Sequence, residues 1–156
     1  MRVILYGGLT VGVLDGFDAV VFFGLRSGVG PLQIFKGIAG GVLGREAALA
    51  GGVPAALLGV ALHFSIATTI VAVFYLASRH LPFLVRRPFV WGPLYGIAVY
   101  FAMNLVVVPL SALHGTGLPH AVPVLVNGIL IHIVGVGTPS ALFARAASPP
   151  ASEAAQ

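Results

Sequence analysis

Five residues able to carry chemistry stand inside otherwise apolar runs: Asp15, Asp18, His63, Asn104 and His132. A polar or ionisable group held away from water costs several kcal/mol unless it finds a partner. Three chemistries suit this set. The residues can hydrogen-bond to one another across helices and so hold a bundle together. A carboxylate beside two imidazoles can instead exchange a proton near neutral pH, with Asp15, His63 and His132 as the ligand- or proton-binding group and Asp18 as its outer entrance. Thirdly, His63 and His132 could serve as the two axial ligands of a b-type haem. Apart from that haem alternative, no cofactor or metal is expected.

Catalytic signatures are missing. Both aspartates lie on one segment, three residues apart, whereas an aspartyl mechanism needs two carboxyls sharing one proton. Ser65, Thr68 and Thr69 are near His63, but hydroxyls there commonly bond to helix carbonyls. There is no HExxH motif and no nucleophile elbow. Without cysteine, disulfides, thiolate catalysis and cysteine-ligated metals are excluded. No catalytic residue is assigned, and a non-enzymatic protein is expected.

The segments that must position these residues are unusually apolar. The chain has 156 residues, 58% hydrophobic and 8% charged. A soluble domain carries about 25% charged residues, so the polar groups here cannot cover a water-facing surface. Mean hydropathy is +1.05. The fold class expected is all-α: a polytopic four-helix transmembrane bundle in one domain, residues 1–145, with the lipid bilayer as its first partner. The net charge of +4 does not point to nucleic acid, because the basic residues flank apolar runs instead of lining one face.

Four spans are predicted, at about 3–24, 53–77, 94–113 and 122–143, each near the ~20 residues a bilayer requires. The first is retained rather than cleaved, since its apolar run is too long for a signal peptide and holds two aspartates. Between spans one and two, residues 31–46 are too apolar for a free loop. Pro31 can open a helix, and Ile34, Ile38 and Val42 recur every four residues, which predicts an interfacial or re-entrant helix. Trp91 is expected at headgroup level in the second connection. The tail, 146–156, reads as disordered.

Arg2, Arg79, Arg86, Arg87 and Arg145 fall on one side of these spans, and Arg26, Lys36 and Arg45 on the other. The positive-inside rule then places both termini in the cytoplasm. At about 1.5 Å per residue, Asp15, His63, Asn104 and His132 each lie roughly 14–15 Å from the outer end of their span, near the bilayer midplane. Small residues border them. Gly8, Gly12 and Gly16 form a small-xxx-small face beside Asp15, Gly59 shares a strip with His63, and Gly128 and Gly135 share a side with His132. The Gly8/Gly12/Gly16 face is also a candidate surface for a membrane-protein partner or a second copy. Pro109 should free the carbonyl of Leu105 and kink the third span.

The succession PLQIFKGIAGGVLGREA, GVALHFSIATTIVAVFYLASR, YGIAVYFAMNLVVVPLSA and a last span with HIVGVGTPSAL resembles, in layout, the YagU-like small bacterial inner-membrane proteins. The likeness covers about Gly12 to Phe143. It implies an inner-membrane four-helix protein without an assigned activity, and it transfers no functional residue. An accessory subunit of a larger assembly, a small transporter or proton conductor, and a haem protein therefore remain open.

Overall fold

The computed structural model describes residues 1–115 and 117–148, and among these every regular element is helical. Four helices are long and apolar enough to cross a membrane: α1 Arg2–Ser27, α4 Gly52–His80, α6 Pro88–Leu110 and α7 Val122–Ala146. Three short ones join them: α2 Pro31–Leu43, α3 Arg45–Ala50 and α5 Phe83–Arg86.

The boundaries follow local rules. Gly28, at φ 65°, ends α1 in a left-handed turn, with Gly28 N–H donating to Gly24 and Val29 N–H to Phe23. Pro31 sits in the first turn of α2, where its missing N–H costs nothing. The third long helix begins at Pro88, six residues before the expected 94, because Pro88 likewise fits a first turn. Trp91 is therefore helical rather than in a connection, and its ring packs edge-on to Phe83 at 5.0 Å. The same helix ends at Leu110, three residues short of the expected 113. At the other end of the chain Ala146 is still helical, and the expected disordered tail from 149 onward lies outside the described residues.

Around the bundle, α1 packs on α4 and on α7, while α7 packs along α6 and meets α4 through its last turns. Glycine sets each crossing. A methyl group on Gly8 would strike Thr68, on Gly12 the Phe64 ring, and on Gly16 would press on His63. The Gly8/Gly12/Gly16 face is thus filled by α4 of the same chain and is not free for a partner. At the α6–α7 crossing the backbones touch directly: a methyl on Gly96 would overlap the His132 carbonyl, and one on Gly137 the Gly92 carbonyl. Helix α2 lies across α4 in the same manner, its Phe35 carbonyl seated where a side chain on Gly59 would be. The far end of α2 is tied to the connection after α6, with Ala112 N–H donating to Gly41 at 2.9 Å and Leu113 against Gly40.

Helices α6 and α7 each widen into a π turn, at Met103–Val107 and His132–Gly137. Both turns come just before a proline, Pro109 and Pro139. Proline clashes with the carbonyl four residues back, and widening the helix relieves that clash. The disturbance expected from Pro109 is thus a π turn. The counterpart before Pro139 was not foreseen. It is capped by Thr138, whose hydroxyl donates to Ile133 at 2.8 Å.

Candidate functional site

The two π turns carry two of the polar residues. Asn104 is the second residue of one, and His132 the first of the other. On α1 and α4, the glycine crossing brings Asp15 and His63 to the same level. All four residues, Asp15, His63, Asn104 and His132, line one cavity of about 200 Å³. They meet although Asn104 stands only roughly 9 Å from the Leu110 end of its helix by residue count. Ile38 of α2 closes one side of this cavity, and Val11, Ala67 and Val136 line another.

The hydrogen bonds show what each polar group is spent on. His63 Nε2 donates to the Gly12 carbonyl at 2.8 Å, a bond between α4 and α1. His132 Nδ1 donates to Gly128 at 2.9 Å, within its own helix. Asn104 Nδ2 donates to Tyr100 at 2.9 Å, also within its own helix. A neutral histidine that donates from one nitrogen keeps the other as an acceptor. Asp15 receives no side-chain hydrogen bond among the described residues. The four polar residues therefore share a space without bonding to one another.

Asp18 is separate from that cavity. One turn further along α1, its carboxylate accepts from Asn127 Nδ2 of α7 at 2.7 Å. Asn127 was not singled out from the sequence. Its only signal there is its place five residues before His132, a spacing that faces Asp18 only once the α1–α7 packing is known. In the opposite direction the cavity meets a dry cluster of Val11, Ala67, Val71, Val99 and Val136, none more than 7% exposed. The polar volume thus lies between an apolar plug and the Asp18–Asn127 bridge, under α2.

Tyr100 is the other residue the sequence left in the background. Among the described residues its buried hydroxyl has no hydrogen-bond partner, and its ring meets His132 edge-on at 5.3 Å. Gly128 makes room for that ring, since a methyl there would strike it. Gly135 faces Leu14 of α1. Ser65 and Thr69 donate to Ala61 and Ser65, four residues back in each case, as hydroxyls on helices commonly do.

The cavity that His63 and His132 both line, about 200 Å³, is smaller than the roughly 300–1,000 Å³ of sites that enclose cofactors and other small molecules. His63 Nε2 is held by the Gly12 carbonyl, which leaves Nδ1 as that ring's other nitrogen. Comparison with family models, with curated proteins and with solved structures found no match, so the function is argued from the site.

Proposed function

We propose that this chain is a multi-pass inner-membrane protein that binds a proton or small cation in its midplane cavity and passes it across the bilayer. It is a non-enzymatic transporter or conductor, with both termini cytoplasmic and α2 entering the membrane as a re-entrant cover over the outer side of the cavity. One observation carries the reading: Asp15, His63, Asn104 and His132 converge on one cavity of about 200 Å³ without being paired to each other. Residues that served only to hold the helices together would be expected to bond across them. Here Asn104 and His132 bond within their own helices, and of the four only His63 bonds across, to a backbone carbonyl of α1.

Asp15 supplies the negative charge, and the free nitrogens of His63 and His132 supply acceptors at the same level. Asp18 and Asn127 lie on the outer approach. The plug around Val71 and Val136 closes the inner side, so passage requires that cluster to open. The accessory-subunit reading drew on a free Gly8/Gly12/Gly16 face, and α4 occupies that face.

Proteoliposomes holding a pH-sensitive dye test the reading. An imposed cation or proton gradient should produce flux, and Asp15→Asn should reduce it at least tenfold. Flux that is unchanged in Asp15→Asn would remove the cavity from the mechanism.

A further inference from the structure

A second volume, about 500 Å³, lies in the cleft between α4 and α6. It is bordered by Leu62, Val73, Ala98, Ala102 and Val107 among others, and its lining is almost wholly apolar. The hydroxyls on its wall are already spent. Ser65 and Thr69 donate to their own helix, and Tyr95 donates across the cleft to Ile70 at 2.7 Å. The cleft therefore offers a ligand no free hydroxyl donor.

It is also the neighbour of the polar cavity. Ile66, Ile70 and Met103 border both volumes, so the partition between them is one side chain thick. Met103 is unbranched and adaptable, and it opens the π turn of α6. Behind the partition stands the Asp15 carboxylate, and no lysine or arginine lines either volume. An apolar cleft that leads to an acid beside two imidazoles, with no lysine or arginine on the wall, matches one ligand chemistry: an apolar body carrying a single positive charge. The two volumes together fall inside the roughly 300–1,000 Å³ typical of a ligand site.

We infer that the α4–α6 cleft is a lateral access route for lipophilic cations, whose apolar body sits in the cleft while the charge is drawn past Met103 toward Asp15. This rests on the reading of the midplane cavity as a cation site and names a substrate class for it. An acyl chain of a bilayer lipid would fill the same cleft without needing Asp15. A second copy of the chain would fill it only in a dimer.

Equilibrium dialysis of tetraphenylphosphonium against the full-length protein in detergent micelles separates these. Saturable binding near one per chain is expected, weakened at least tenfold by Asp15→Asn. Ala102→Phe, at an exposed position on the cleft wall, should weaken it as much while leaving the small-cation flux of proteoliposomes intact. Ala98→Leu, on the same wall, should act alike and guards against misfolding of the larger replacement. Binding that is absent, or that survives Asp15→Asn or both wall variants, would overturn the inference and leave the cleft to lipid or, if the protein runs as a dimer, to a second copy. If Asp15-dependent flux persists without tetraphenylphosphonium binding, the lateral route falls and the cavity reading stands. Binding with both dependences but no flux would uphold the cleft as a cation site and remove transport through the cavity.

Discussion

Asp18 and Asn127 form a hydrogen bond between two helices at 2.7 Å, and such bonds in apolar surroundings are worth on the order of 1 kcal/mol. Asn127→Leu should therefore lower stability by about that amount in chemical unfolding from mixed micelles, because it leaves the carboxylate without its donor. Asp18→Asn keeps an oxygen that can accept and removes the charge, so it should be near neutral. A loss equal to that of Asn127→Leu would mean that the charge, not the bond, matters at this position. Tyr100 calls for the opposite sign. Its hydroxyl is buried without a partner among the described residues, a state that costs about 1–3 kcal/mol. Tyr100→Phe should raise the melting temperature or leave it unchanged. A fall would show that the hydroxyl has a partner in the membrane. Asp15, His63, Asn104 and His132 were legible in the sequence because each interrupts an apolar run. Asn127 and Tyr100 were not, since an Asn near a helix start or a Tyr within an apolar helix is ordinary, and only the packing against α1 and α7 gives either one a role.

At the scale of elements, glycine decides how closely helices cross, and the same substitution should have opposite effects at different sites. Gly96→Ala places a methyl into the His132 carbonyl and Gly59→Ala into the Phe35 carbonyl, and neither backbone can yield cheaply. Each should cost on the order of 2 kcal/mol, the usual scale of overpacking. Gly37, in α2, has nothing within 4 Å of where its methyl would go. Gly37→Ala should be stabilising by up to about 1 kcal/mol, from helix propensity alone. Parallel thermal unfolding of the three variants checks this. Little or no loss at Gly96 and Gly59 would mean that the crossings are looser than the backbone contacts imply. Gly92 and Gly96 form a small-xxx-small pair that could have been read from the sequence beside Gly8, Gly12 and Gly16. The partner of each pair could not be read, because spacing marks a close-packing face without saying which helix meets it.

For the molecule as a whole, the proposed orientation puts Arg79, Arg86 and Arg87 on the cytoplasmic side. A reporter fused after Arg87 should be active only as a cytoplasmic fusion. Periplasmic activity there would invert the protein, so that α2 covered the cytoplasmic mouth of the cavity and the Val71–Val136 plug closed the periplasmic one. The arrangement itself is lopsided: α7 contacts each of the other three long helices, whereas α4 and α6 leave between them a cleft bridged by the Tyr95–Ile70 hydrogen bond. That gap is what sets a lateral route beside the polar cavity.

By itself the sequence determined the four long helices, the helical segment at Pro31, and the polar residues that stand in apolar runs. These depend on local quantities: hydropathy over ~20 residues, proline and glycine at helix ends, and the cost of a polar group without water. Only the tertiary structure decided that Asp15, His63, Asn104 and His132 share a cavity, that α2 covers it, and that the Gly8/Gly12/Gly16 face is turned inward. Those outcomes depend on which helix meets which, on two π turns that shift Asn104 and His132 in register, and on backbone approaches at Gly59 and Gly96. None of these contacts is local in sequence, and no count along a single helix contains them.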